Sequence, residues 1–436
     1  MKRKLLSVLI ATAMIVTLVG CGKSNATKDA TTDTSTTDTS TTVEATSTPA
    51  PVEAEAVTLK VWAPENQIQT GTLQSMFDSF QALHPEWKIT FTSEAQGEDT
   101  AKDEILKDVA AAGDVFFFAN DQLTGLVNAG AIAKLGGSTA DMVKTTMAPE
   151  VVNTVTVDDS IYAIPFTHNT FFMYYDKTLL NADDVKSVEG IMAKKTADNV
   201  FNFDFDSAGG WKLGAWYYGA GLTIYGESQT DLAAGCNWNN ATGLAVTDYL
   251  IDLINNPKTA YNDDISLSEL TADHRVGAWF DGSWNYDLYK TALGDDLGLA
   301  VIPTFNPDGT NYQLKGFYGS KAIGVNSQAA FPAVAVAFAA YLGSEEMQLQ
   351  RFTETAQVPT NLNVGASEAV QADPVAAVIV AEANTASVMQ PTIAEFGAQY
   401  WPNVSAFSTE IRSGDFNKTN AQEKLDTFVA TMVVAQ

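Results

Sequence analysis

The chain has 436 residues, enough for two domains with separate cores once an N-terminal segment is set aside. Its 25 Lys+Arg against 52 Asp+Glu leave a net charge of −27, which argues against nucleic acid or an anionic lipid surface as partner. Beyond residue 21 Cys236 is the sole cysteine, and the three histidines are scattered, so no internal disulfide, thiolate metal site or zinc centre is expected; with no phosphate loop or nucleophile elbow either, no cofactor is expected.

Lys2, Arg3 and Lys4 precede an apolar stretch from Leu5 to Val19, broken only by Ser7, Thr12 and Thr17. By charge and length residues 1–20 read as an export signal, short for a spanning helix. The stretch ends in Leu18-Val19-Gly20-Cys21, which resembles the bacterial lipobox, so Cys21 is the expected lipidation site. The alternative is an ordinary signal peptide with a chance cysteine. Behind Cys21, the rest of 21–56 is rich in Thr, Ser, Ala, Asp and Pro. Such a segment cannot bury enough apolar surface to offset its ordering entropy, so a disordered tether is expected, its ends roughly 30 Å apart. No later segment has eighteen consecutive apolar residues. A lipid anchor is therefore the one expected membrane attachment.

From Val57 to Trp62 apolar and polar residues alternate, the mark of a strand with one buried face. Leu73, Met76, Phe77, Phe80 and Leu83 recur at helical spacing before Pro85. Lys88 to Thr92 alternates again. Thr100 with Asp103 has the form of a capping box and predicts a helix through Ile105, Leu106 and Val109, closed by Gly113. Asp114 to Ala119 is a short apolar strand, and a helix through Leu123, Leu126 and Val127 stops at Gly130. Strands alternating with helices predict an α/β fold with parallel neighbours, and ligand at the carboxyl ends of the strands. Those ends carry Ala63 to Gln67 and Asn120-Asp121-Gln122. Further on, Ile161 to Tyr175 is strand-like, Gly243 to Leu253, Ala329 to Leu342 and Met347 to Phe352 are helical, and strands return at Leu297 to Pro303 and Ala322 to Val325. The end is helical, with Phe428 and Val429 on an apolar face.

Aromatic residues make up 10% of the chain, and many lie in polar contexts such as Gly210-Trp211, Ser283-Trp284-Asn285-Tyr286 and Gln399-Tyr400-Trp401-Pro402. Rings in turns are usually part-exposed, and rings flanked by hydrogen-bonding groups suit a ligand with apolar faces and polar edges. Sugars are such ligands. Some of these rings could instead cap the core.

Segments including Leu59-Lys60-Val61-Trp62, Gly113 to Asp121, Tyr162 to Phe166, Tyr175 to Leu180, Phe280 to Trp284, Val301 to Phe305 and Ala322 to Asn326 together resemble the extracellular solute-binding proteins of ABC importers. The similarity is greatest to the maltose/maltodextrin-binding branch, and it runs in serial order over nearly all of the body. The resemblance implies a two-lobe periplasmic-binding-protein-like α/β fold with a hinged cleft, closing over ligand. It places the N-terminal lobe at 57–167 with 313–354, and the C-terminal lobe at 168–312 with 355–436. It also implies a monomer that captures malto-oligosaccharide, maltotriose or longer, and delivers it to ABC permease subunits from the outer face of a membrane, of Gram-positive type. No enzyme activity is implied.

By the same resemblance Asp121 stands where a carboxylate accepts sugar hydroxyls, although it could also cap the Leu123 helix. Phe118 stands at an aromatic wall and Asn120 is a direct donor, while Gln122 departs from a basic residue of the family. Glu65, Asn66 and Gln67 match a polar ligand loop. Asn169 replaces a family carboxylate, with His168 beside it. Trp284 and Trp401 match stacking tryptophans, Trp211 lies near a third stacking position, and Tyr286 and Tyr400 are adjacent candidates. Two other readings stay open: the same fold with a xylo- or galacto-oligosaccharide, and a lipid-anchored glycosidase using carboxylates such as Asp121, Glu65 and Asp281.

Overall fold

The computed structural model describes residues 54–204, 210–227, 229–261 and 266–433. The export signal, Cys21 and nearly all of the tether lie outside the described residues.

Two lobes are built on two sheets. In the first, strand Glu55–Ala63 runs parallel to Trp87–Ala95 on one side and to Val115–Ala119 on the other. Val57, Leu59, Val61 and Ala63 are buried while Thr58 is exposed, so the alternation read from sequence sets the face. Phe116, Phe117 and Phe118 are all buried, because this central strand is covered on both faces. The core here packs Leu59, Phe77, Phe80, Phe117 and Phe338 together.

The sheet is not purely parallel, contrary to the expectation from strand–helix alternation. Strand Gly316–Val325 pairs antiparallel with Val115–Ala119 and with Ala163–Asn169, and parallel with Ser387–Met389. The physical reason is that Ala163–Asn169 and Gly316–Val325 are not successive βαβ units. The chain leaves the first sheet after Asn169 and returns to it only at Gly316.

The second sheet has the order Leu297–Ala300, Phe172–Asp176, Val276–Asp281, Phe201–Asp204, Thr259–Ala260, antiparallel across its first two pairings and parallel across the rest. One of its faces carries a core with Trp216, Tyr217, Trp238 and Tyr400, the other a core with Tyr174, Trp279, Tyr289 and Val375.

Three elements differ from the sequence expectation. The helix at Ala101–Ile105 stops before Val109, and Thr100 makes no side-chain cap. The Asp108 carboxylate accepts from the amides of Ala110 and Ala111, a local turn that competes with helix. The strand from Leu297 ends at Ala300; beyond Pro303, Thr304–Phe305 pairs with Tyr312–Gln313 in a separate ribbon. The helix expected from Ala329 begins at Pro332, whose fixed φ and missing N–H suit the first helical position. Among the described residues no helix is long and apolar enough to cross a membrane.

Candidate functional site

A cleft of about 1160 Å³ is walled by both sheets. Its first wall follows the carboxyl ends of three parallel strands: Pro64, Glu65 and Asn66 after the first, Gln96 to Asp99 after the second, and Asp121 and Gln122 after the third. The opposite wall carries Trp211, Trp284, Asn285, Gln390 and Trp401. Asn169 and Gln357 line it where the chain passes between the sheets.

The tryptophans are held from behind. Trp211 meets Trp284 with ring centroids 5.9 Å apart, and Phe171 meets Trp211 edge-on at 4.9 Å. Trp401 is braced edge-on by Tyr400, Phe396 and Phe317, at 4.8, 5.6 and 5.9 Å. The Nζ of Lys321, from the first sheet, lies 4.6 Å from the Trp284 ring centre and bonds Glu98 at 2.5 Å. These rings are part of the wall before any ligand arrives, which limits the ordering cost of binding.

Gly282 forms the seat of Trp284. A Cβ there would lie 2.0 to 2.4 Å from three atoms of the indole ring. Gly282→Ala is therefore expected to displace that ring, at a cost of about 1–3 kcal/mol of stability. A denaturant melt together with tryptophan emission checks this, and an unchanged spectrum with unchanged stability would show that the ring is not displaced.

Electrostatically, Asp121 is the unusual group. Burial pushes its carboxyl up to about 7 from an ordinary 3.8, opposed by its own backbone amide, by Lys102 and by a hydrogen bond from Trp401. Three cleft-lining side chains also hold buried polar atoms without a partner: Glu98 Oε1, Trp211 Nε1 and Gln390 Oε1. Two acceptors and one donor are thus buried in the cleft wall without a protein partner, which is costly. Among the described residues no cluster of three His, Cys, Asp or Glu could hold a metal ion.

Of the residues singled out from sequence, Glu65, Asn66, Asp121, Gln122, Asn169, Trp211, Trp284 and Trp401 line this one cleft. The others do not. Gln67 is fully buried, turned inward from the five-residue helix Glu65–Gln69 and bonded to Gln357 and Arg351. Phe118 lies in the first core, packed on Phe116, since a strand covered on both faces leaves no ring free. Asn120 is fully buried and accepts from the Ser320 amide, so it pins a neighbouring strand.

His168 turns to the hydroxyl of Tyr318 at 2.7 Å, and burial lowers its imidazole to about 4. Tyr286 faces a separate cavity of about 560 Å³ with Tyr175, Lys177 and Lys290. Tyr400 is buried and donates to the Gly210 carbonyl at 2.7 Å. The Asp121 side chain does not cap the following helix, whose N-cap is Gln122 without a side-chain bond. Gln122 accepts from the Lys102 amide and donates to the Glu98 carbonyl, a bracing role in the wall. Asp281 is taken up by Gly282, Asn285 and Tyr289 and stands outside the cleft, so it cannot pair with Asp121 across a bound sugar.

Glu98, Lys321, Gln357 and Gln390 were missed by sequence reasoning. Glu98 was within reach, since it follows the second parallel strand as Glu65 follows the first. Lys321 sits inside a strand and gives no such signal.

The comparisons place this geometry among known proteins. Residues 75–378 match the family described as bacterial extracellular solute-binding protein. A structure solved with acarbose is 39% identical, with a TM-score of 0.81, over 86% of this chain and 98% of that one. A maltodextrin-binding protein from L. casei BL23, solved without ligand, is 26% identical with a TM-score of 0.76, over 87% and 99%. A maltotriose-binding protein of Pyrococcus abyssi (strain GE5 / Orsay) is 22% identical over 278 residues, 62% of this chain, which spans 59% of that relative's length.

Proposed function

The chain belongs to the bacterial extracellular solute-binding proteins, and within that family we propose that it captures malto-oligosaccharides, maltotriose or longer, and hands them to the permease of an ABC importer. One observation carries the reading. Three braced tryptophans and a carboxylate pushed up to about 7 by burial converge on a single cleft, in whose wall three further polar atoms are buried without a partner. Rings offer faces to the apolar side of a glucose unit, and Asp121 accepts from its hydroxyls. Names of similar proteins, maltotriose and maltodextrin binders, support the same class.

In this reading Glu65, Asn66, Asn169, Trp211, Trp284 and Trp401 complete the ligand shell. The lobes are assigned as 57–167 with 313–354 and 168–312 with 355–436, moving about the segments that pass between them. Capture stabilises the approach of the walls because both touch ligand at once only then. Lipidation at Cys21 and a Thr-rich tether would keep a monomer near its permease on the outer face of a Gram-positive membrane, where an unanchored binder would diffuse away.

Calorimetric titration against a panel of α- and β-linked oligosaccharides tests the ligand, with heat expected from α-1,4 glucans of three or more units. No heat with any α-1,4 glucan would overturn the assignment. Small-angle scattering is expected to show compaction on adding maltotetraose, and an unchanged radius of gyration would count against closure.

A further inference from the structure

The helix Glu345–Thr355 contributes no residue to the cleft, yet it buries a cation. Arg351 is 1% exposed, with its guanidinium 5.5 and 5.0 Å from the ring centres of Phe117 and Phe166. Burial pulls it down to about 9, opposed by the charge of Glu98. A buried cation is costly where an apolar residue could pack, so its bonds indicate what it secures. Its Nη1 donates to the Leu342 carbonyl at 2.6 Å, and its Nε donates to Gln67 Oε1 at 3.2 Å.

Gln67 sits at the centre of the helix Glu65–Gln69, whose Glu65, Asn66 and Gln69 line the cleft. Its Nε2 donates to Gln357 Oε1 at 3.4 Å, and Gln357 begins a segment that passes between the lobes. One turn before Arg351, Gln348 grips that same segment. Its Oε1 accepts from the amides of Thr360 and Asn361, at 2.9 and 3.0 Å. Its Nε2 reaches back to the Gly343 carbonyl at 2.9 Å. The Val358 carbonyl accepts from Thr167 Oγ1 at 2.8 Å and from the His168 amide, so the two passing segments are bonded to each other.

We propose that Gln67, Gln348 and Arg351 are positioning residues for ligand capture: a buried relay that registers the cleft helix Glu65–Gln69 against the interlobe segment 357–361. A ligand contact on the first wall is then transmitted to the segment about which the lobes move. None of the three touches ligand; they act through Glu65, Asn66 and Gln357. The proposal rests on the oligosaccharide reading for its probe alone.

Gln67→Met keeps the volume and removes both side-chain bonds. Maltotetraose affinity is expected to weaken about tenfold, the scale of one buried hydrogen-bonded pair. Amide exchange at 65–69 and 357–361 should rise with it. Val143→Ala, in the same core, serves as comparator and is expected to lower the melting temperature while leaving affinity and exchange at those segments unchanged. Gln67→Glu retains an acceptor for Arg351 and should recover protection at 65–69. Wild-type affinity and exchange in Gln67→Met, or losses matched by Val143→Ala, would overturn the relay. A wild-type protein that binds no maltotetraose retires the ligand reading instead. The exchange measurement then decides alone, raised exchange at 357–361 supporting the relay and unchanged exchange overturning it.

Discussion

Trp401→Ala is expected to weaken maltotetraose binding by about 2–4 kcal/mol, the range of a buried aromatic hot spot. Two losses combine. The stacking face disappears, and with it the indole N–H that helps to hold the Asp121 carboxyl down. Neighbouring rings cannot fill the gap, because Tyr400, Phe396 and Phe317 meet Trp401 by their edges and are locked in the core. Trp401→Phe should recover part of the loss, since a smaller face remains but the indole N–H does not. Tyr286→Ala is the internal control. Sequence grouped Tyr286 with the stacking residues, yet it faces the other cavity, so its removal should leave affinity unchanged. Calorimetry on the three variants decides: a Trp401→Ala constant within threefold of wild type would remove this ring from the site.

What sequence made legible follows from periodicity and position along strands. Alternation over Val57 to Trp62 fixed which face is buried, and the rule for carboxyl ends of parallel strands put Glu65, Asn66 and Asp121 on one wall. Side-chain direction was legible only where a pattern existed to read. In the run from Val115 to Ala119 every residue is apolar and buried, so nothing in the sequence says that Phe118 turns from the cleft. A single-turn helix such as Glu65–Gln69 gives no second turn to define its inner face, and Gln67 was read as a ligand residue when it anchors the helix from behind. Lys321 and Gln390 reach the cleft through strands from distant parts of the chain, Gly316–Val325 and Ser387–Met389, whose pairing is non-local. The order of residues around these positions carries no trace of that neighbourhood.

Ligand affinity is expected to rise with pH through about 7. The Asp121 carboxyl sits near that value because burial disfavours its charged form, with Asp99 adding to the shift and Lys102 and Trp401 opposing it. Sugar hydroxyls donate to the ionised form and gain charge-assisted bonds; the protonated form offers a weaker acceptor. If binding requires the carboxylate, affinity falls about tenfold per pH unit below 7, so acidification from pH 8 to 5.5 costs about 2 kcal/mol. Stability without ligand should move the other way. A carboxyl raised from 3.8 to about 7 on folding binds its proton more tightly in the folded state, so its contribution is greatest below 3.8 and is lost as pH climbs to about 7. Asp121→Asn removes both slopes. The variant should melt higher than wild type at pH 8, bind maltotetraose more weakly there, and show an affinity independent of pH. Melts and titrations at pH 5.5 and 8 separate the outcomes, and a wild-type affinity flat across that range would exclude Asp121 as the titrating acceptor. The opposite slopes express one physical fact: the cleft holds its carboxylate at a cost in the free protein, and ligand hydroxyls offset that cost on binding.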